Sequence, residues 1–378
     1  MKLSKNHLVS KLSEEAEKIY DAGNVEKEKR MLVIIPDLKL SGAMTVMLEL
    51  LELPYWKDYD FYVLSSEDGD YKDKLLSLGA TVIIRPRVYC TESYRKVLQQ
   101  EFDCVFINSA ACYYYVYYFL NTDTKVLWWF HETKTQLKTM QSEFLNLNLL
   151  SSNIHVAGVT PGVQEGVWEL YGKKINLLSM PVRDQRNQNN RLPEPKKPDE
   201  IMFFLPAALT YIKGQDILIK AIALLPEEYQ KKAKFFFCGY TLPGQTEYSE
   251  SIKRAIDLLP NAEFLGTLEK DEVYEWYQKC DCVLAPSRVD ATPTTIVEAM
   301  MFQKLCIVSD ATGISKFMQD CVNGFVFPCE NTQELFKRLL LVIADKEKLS
   351  GIAKAGRTIY ENHFSEEIIT KQLQEIMG

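Results

Sequence analysis

Short apolar runs alternate with stretches of helical period along most of this chain. From residue 31 the runs MLVIIP, DFYVLS, TVIIRP, DCVFIN, KVLWWF and HVAGVT are rich in β-branched and aromatic residues and too short for ordinary helices. Between the first of them, AMTVMLELLEL and YKDKLLSLG place apolar residues at helical spacing, the second ending on Gly79. Strands separated by helices predict βαβ units and a parallel sheet. The pattern lapses at RDQRNQNNRLPEPKKPDE, residues 183–200, a polar, proline-rich stretch with almost nothing to bury. It then restarts. IMFFLP, KFFFCG, AEFLG, DCVLAP and LCIVSD read as strands, and QDILIKAIALL, YSESIKRAIDLL, KDEVYEWYQKC and PTTIVEAMMF as helices.

The expected class is α/β, with two parallel-sheet domains of similar size. A helical extension is expected over residues 1–30, a first domain over 31–184, a linker over 185–200 and a second domain over 201–358. A C-terminal helix over 359–378 carries an apolar stripe that it can bury by returning to the first domain. Ligands of parallel α/β sheets bind outside the carboxyl ends of the strands. Two such domains facing each other would enclose a cleft, so the chemistry belongs in the loops that follow strands.

Composition narrows the function. Net charge is −7, from 44 basic and 51 acidic residues, and neither half of the chain is basic. That argues against a nucleic-acid footprint and against a polybasic lipid anchor. The first twenty residues lack the apolar core of a signal peptide, and the longest candidate apolar run, CYYYVYYFL, is far too short to span a bilayer. A cytoplasmic protein without a transmembrane segment is expected, with peripheral contact at the inner face of a membrane left open. The nine cysteines include no C-x-x-C pair and read as reduced core thiols.

The stretch PSRVDATPTTIVEAM, residues 286–300, carries the most chemistry. It follows a strand and leads into a helix. Thr294 and Thr295 fall in the first turn, where backbone N–H groups lack intrahelical partners and favour an anion such as phosphate. Glu298, one turn further in, can accept hydrogen bonds from a pair of hydroxyls, as on a ribose. Asp290 stands in the loop before the helix. Lys213 and Gly214 occupy the corresponding loop after IMFFLP, and Gly239 and Gly266 end two further strands. In the first half His131 directly follows KVLWWF, Asn108 and Ser109 follow DCVFI, and Gly42 sits in the turn after MLVIIP. Each alone is as well explained by turn chemistry or core packing; together they form an ordered series.

That series resembles the retaining nucleotide-sugar glycosyltransferases of the glycogen-synthase-like superfamily (family 4, group 1), which have the GT-B fold of two Rossmann-like domains facing a central cleft. It covers roughly residues 31–378 and is strongest from 201 to 327. The motifs are Lys213-Gly214, Phe264-Leu265-Gly266, residues 281–287 (DCVLAPS), Asp290, Glu298-Ala299-Met300, Ser309-Asp310, Thr312-Gly313-Ile314 and Asn323-Gly324-Phe325. The resemblance implies a donor site in which Glu298 binds the nucleotide ribose, Thr294, Thr295 and Lys213 meet the diphosphate, and Gly239 and Gly266 lie against the donor. It implies catalytic roles for Asp290, His131 and Lys213, a donor-facing loop at Gly42, and an acceptor side near Asn108 and Ser109. No metal and no other cofactor is expected.

The chain departs from the pattern in two places. Asp290 stands where the family usually has Glu, and Ala207 and Ala208 stand where an Arg is usual before Lys213; Arg288 or Lys316 would have to supply that charge. The expected function is transfer of a hexose-type sugar from a nucleotide-diphosphate sugar to a glycan, lipid-linked or protein acceptor, with retention, in bacterial surface polysaccharide or glycoconjugate synthesis. The alternative is a non-catalytic glycosyltransferase-like subunit that binds an acceptor or stabilises a partner enzyme. A nicotinamide-dependent dehydrogenase is disfavoured, because no G-x-G-x-x-G follows the first strand of either domain.

Overall fold

The computed structural model describes residues 2–23, 26–39, 42–87, 89–141, 146–186, 200–344 and 349–378. Ser41 and nearly all of the expected linker lie outside them. The chain divides into two compact units, one of residues Met1–Pro181 with Glu366–Gly378 and one of residues Val182–Ser365.

The first unit is built on an eight-stranded sheet. Its strands are β1 (Lys18–Asp21), β2 (Lys29–Ile35), β3 (Tyr59–Ser65), β4 (Thr81–Ile84), β5 (Cys104–Asn108), β6 (Lys125–Phe130), β7 (Ile154–Gly158) and β8 (Asn176–Leu177), in the order β1-β4-β3-β2-β5-β6-β7-β8. All neighbours are parallel except β1 and β4. β2 to β6 are almost wholly buried, which is why they read as continuous apolar runs rather than as alternating ones.

Residues 1–30 do not form a helical extension. The helix Lys5–Ser13 buries Leu8 and Leu12 completely and packs on the helix Glu92–Gln100. β1 then adds to the sheet as an antiparallel edge strand, with Lys18 opposite Ile84 and Asp21 opposite Thr81. Two leucines are a thin stripe, but an edge position asks for little more. The C-terminal segment also differs from a single helix over 359–378. The helix Ser350–His363 belongs to the second unit and ends where buried Phe364 leaves helical geometry, its N–H held by Tyr360 O at 2.8 Å. A second helix, Glu366–Met377, belongs to the first unit. There Ile369, Leu373, Ile376 and Met377 are buried, each contributing roughly 1.5–3 kcal/mol. Gln372 Oε1 accepts from the Ser179 N–H at 2.9 Å, and Lys125 donates to Met377 O.

The second unit carries a six-stranded, all-parallel sheet of β9 (Ile201–Pro206), β10 (Ala233–Cys238), β11 (Ala262–Phe264), β12 (Cys282–Ala285), β13 (Leu305–Ser309) and β14 (Phe325–Phe327). The order is β11-β10-β9-β12-β13-β14. This is the doubly wound 3-2-1-4-5-6 arrangement, and it has a switch point between β9 and β12, where the chain reverses direction across the sheet. Phe203 and Phe235 stack across neighbouring strands, with ring centroids 4.7 Å apart, at the centre of its core. The first sheet has the same logic around β2 and β5. Ligands of doubly wound sheets bind outside the strand ends at such switch points. Among the described residues no helix is long and apolar enough to cross a membrane. Cys104, Cys238, Cys282 and Cys306 are buried free thiols.

Candidate functional site

At the switch point of the second unit, the loop after β9 meets the loop after β12. Lys213 comes from the first and Asp290 from the second, and Lys213 Nζ donates to Asp290 Oδ2 at 2.6 Å. Asp290 is nearly covered, its side chain 10% exposed, while that of Lys213 is 27% exposed. The two loops are pressed together. Gly214 has φ +71°, and a Cβ there would lie 2.0 Å from Pro286 O, so only glycine fits between lysine and helix. Gly239 is required for a similar reason: at φ +150°, a Cβ would lie 2.0 Å from Ala207 O. Its N–H donates to Gly266 O at 2.9 Å, which ties the ends of β10 and β11 together.

The helix Thr294–Met301 follows. Its ladder opens with the Ile296 and Val297 N–H groups on Pro293 O at 3.0 and 3.5 Å. The Thr294 and Thr295 N–H groups precede that ladder at the positive end of the helix dipole. Glu298 lies one turn in and is only 3% exposed. Its Oε2 accepts from the phenol of Tyr277 at 3.0 Å, and its Oε1 pairs with Lys270. Tyr277 is fully buried, and burial together with the adjacent Glu298 charge pushes its phenol well above the ordinary value. It is a permanent donor. Lys270, its side chain 46% exposed, has room to move. Sequence reading missed both. Tyr277 and Lys270 lie on the helix Lys270–Lys279, where their apolar and polar spacing looks like an ordinary amphipathic face.

Several motif residues prove to be scaffolding for this site. The Gly313 N–H donates to Asp290 O at 2.8 Å, Thr312 pairs with Asp290 as an isolated parallel bridge, and Thr312 Oγ1 donates to Ser309 O at 2.8 Å. Ser309 Oγ donates to Ser287 O. Asp281 Oδ2 accepts from the Met202 N–H at 2.8 Å and fixes the start of β9. Arg288 does not stand free for phosphate. Its guanidinium forks onto Asp216 at 2.8 and 2.9 Å, donates to Glu330 at 2.8 Å and lies 3.8 Å from the Tyr211 ring centroid. Lys316 is exposed.

The switch point of the first unit is built differently. Asn108 ends β5 and His131 follows β6; the two side chains meet at 2.8 Å between His131 Nε2 and Asn108 Oδ1. With Asn108 oriented as an acceptor, Nε2 carries the proton. Burial holds the imidazole down to about pKa 4, so it is neutral at pH 7. Next to it Glu132, 6% exposed, accepts from Ser109 Oγ, from the Ala110 N–H at 3.0 Å and from the His131 N–H at 2.9 Å. Burial raises its pKa against those hydrogen bonds. Ser109 adopts φ +84°, a strained backbone for a non-glycine residue; its N–H donates to Trp129 O at 2.8 Å, its carbonyl accepts from Trp128 Nε1 at 2.9 Å, and its hydroxyl donates to Glu132. Glu132 was not singled out from the sequence, although it adjoins His131. Gly42 is exposed and opens the helix Gly42–Leu51 after β2. Among the described residues, no group of three or more His, Cys, Asp or Glu side chains could hold a metal ion.

Comparison with known proteins places these features. The family model "Glycosyl transferases group 1" matches residues 186–359, and "Glycosyl-transferase family 4" matches residues 27–156. An uncharacterized glycosyltransferase of Haemophilus influenzae is 24% identical over 212 residues, covering 54% of this chain and 56% of that protein. The amylovoran biosynthesis glycosyltransferase AmsK of Erwinia amylovora is 25% identical over 214 residues, covering 54% and 51%. The chain thus spans about half the length of the curated relatives it matches. Among solved structures, Anabaena HepE in complex with UDP and glucose superposes with a TM-score of 0.73 at 19% identity, over 93% of this chain and 99% of that one. A glycosyltransferase from Rickettsia africae gives 0.76 at 18%, over 93% and 98%. With two α/β units of this topology and matches to both halves, the chain belongs to the group 1, family 4 glycosyltransferases of GT-B fold.

Proposed function

We propose that the protein is a retaining, metal-independent hexosyltransferase that moves a sugar from a nucleotide-diphosphate donor to a glycan, lipid-linked or protein acceptor. Amylovoran biosynthesis in a relative favours a role in surface polysaccharide or glycoconjugate synthesis. UDP and glucose in the HepE structure make a UDP-hexose the first donor to try. The observation that carries the reading is Glu298. Its carboxylate is buried to 3% exposure one turn inside a helix whose leading N–H groups precede the ladder, one oxygen held by Tyr277 and the other by a half-exposed lysine that a ligand can displace. With two hydroxyls of a ribose it gains charge-assisted partners.

In this reading the diphosphate sits against the Thr294 and Thr295 N–H groups and takes the Lys213 ammonium. The ribose hydroxyls replace Lys270 on Glu298, and Tyr277 keeps that carboxylate in place. Asp290, released from Lys213, accepts from sugar hydroxyls. The bond from the anomeric carbon to the diphosphate breaks, a new bond to the acceptor oxygen forms on the same face, and the acceptor proton leaves with the diphosphate. Charge on the departing group is stabilised by the helix end and lysine rather than by a metal. In the first unit, Asn108 and Ser109 are assigned to the acceptor side and the neutral His131 to a catalytic role.

One observation favours a second reading, a glycosyltransferase-like subunit without activity. Lys213 is engaged by Asp290, and no arginine stands at 207 or 208 to help it. Screening UDP-, GDP- and dTDP-sugars for stabilisation and turnover separates the two. Transfer that is abolished or strongly reduced in Asp290→Ala and Glu298→Ala supports the enzyme. Undiminished transfer in both variants sinks the residue assignments, and no response to any donor favours the subunit.

A further inference from the structure

We infer that Arg288 is a positioning residue that sets the Lys213–Asp290 pair, and that it does so by clamping three strand-end loops to one guanidinium. The inference rests on the donor site proposed above. From the loop after β9, Arg288 takes Tyr211 O on Nη1 at 2.7 Å, and its own backbone N–H donates to Ile212 O at 2.7 Å. From the helix Gln215–Ala223, it takes both oxygens of Asp216 in a fork. From the segment after β14, it takes Glu330, held at φ +62°. Its face covers the Tyr211 ring. Tyr211, Ile212 and Lys213 form a single 3-10 turn, so three of these contacts bear on the turn that ends in Lys213. Asp290 is two residues beyond Arg288 in the same loop. One side chain therefore fixes both members of the ion pair relative to each other.

The chemistry suits this role better than phosphate binding. Burial works to raise the Asp216 carboxyl, but hydrogen bonds from Arg288 and Lys220 win and hold it at about 2. The Arg288 side chain is only 11% exposed, and its fork and Nε are occupied by carboxylates. A bidentate fork transmits orientation, which a lysine at this position could not do. Alanine stands at 207 and 208, so no arginine at those positions helps to hold Lys213. Its position must then be fixed from elsewhere.

The test combines amide hydrogen exchange on the donor-free protein with a double-mutant cycle on donor affinity. In Arg288→Met, the Lys213 and Gly214 amides, bonded to Thr210 O and Tyr211 O, should exchange about tenfold faster, with β9 and β12 unchanged. Affinity for the nucleotide sugar found in the screen should fall about tenfold, and Arg288→Met should add less than about twofold on a Lys213→Met background. Arg288→Lys keeps the charge without the fork and should show the same two effects in weaker form; it carries the test if Arg288→Met does not fold. Additive losses in the cycle, or wild-type exchange and affinity in Arg288→Lys, overturn the inference. If no donor binds the wild type, the proposed function fails, while the exchange result still decides the clamp.

Discussion

The two switch points share a topology and differ in how they satisfy a buried acid. In the second unit Glu298 and Asp290 are met by lysines on flexible stems, Lys270 and Lys213. In the first, Glu132 is met by two backbone N–H groups and the Ser109 hydroxyl. Side-chain cations can be traded for a ligand's hydroxyls and phosphates at little structural cost. Backbone donors cannot be traded without unfolding the loop that carries them. The second unit is thus built to exchange partners, and the first to hold Asn108, Ser109 and His131 still.

Substitution breaks the comparison most sharply at Glu298. Two charged hydrogen bonds to a ribose, at about 1.5–3 kcal/mol each, put the loss in Glu298→Ala near 4 kcal/mol, roughly a thousandfold in donor affinity by calorimetry. Glu298→Gln keeps the shape against Tyr277 and should lose less. The matching change in the first unit acts on stability instead. Glu132→Ala leaves two backbone donors unmet and should lower the unfolding free energy by about 3 kcal/mol in a denaturant titration, with donor affinity little changed.

A pH series sharpens the same contrast. His131 is held near pKa 4 in the fold against 6.5 unfolded. Its neutral form is the native one, so its contribution is fully present above pH 6.5 and is lost as pH falls from 6.5 toward 4. The loss is on the order of 2 kcal/mol for a part-exposed ring. The raised Glu132 carboxyl works in the opposite direction, since its protonated form is favoured in the fold. Comparing wild type with His131→Gln at pH 4.5 and pH 7 isolates the histidine: the variant should lack that component. The smallest effect is expected for Tyr277→Phe. Losing one donor to Glu298 should cost about 1 kcal/mol, near fivefold in donor affinity, with KM raised and kcat nearly unchanged.

Much of this architecture is legible in the sequence, because buried parallel strands are written as apolar runs and helix starts as Thr and Pro. KVLWWF and IMFFLP become β6 and β9 at the same residues. What escaped has a shared cause. β1 is a polar edge strand whose partner, β4, lies some sixty residues away, so no local pattern marks it. The break between the last two helices depends on the burial of Phe364. At the site, residues announced by a strand end or a glycine, such as Lys213, Asp290 and His131, could be picked out. Lys270, Tyr277 and Glu132 act through contacts with residues up to 28 positions away, and spacing along the chain carries no sign of them. Arg288 was picked out for its charge, but its five contacts give it a different part to play.

The central claim is that the leading end of the helix Thr294–Met301, with Lys213 beside it, receives a nucleotide diphosphate. Amide hydrogen exchange of the wild-type chain with and without saturating UDP-, GDP- and dTDP-hexoses addresses it directly. The account predicts that at least one donor slows exchange at residues 294–297 and 213–214, and that the slowing is lost in Glu298→Ala. Protection by no donor, or protection confined to other segments, would contradict it.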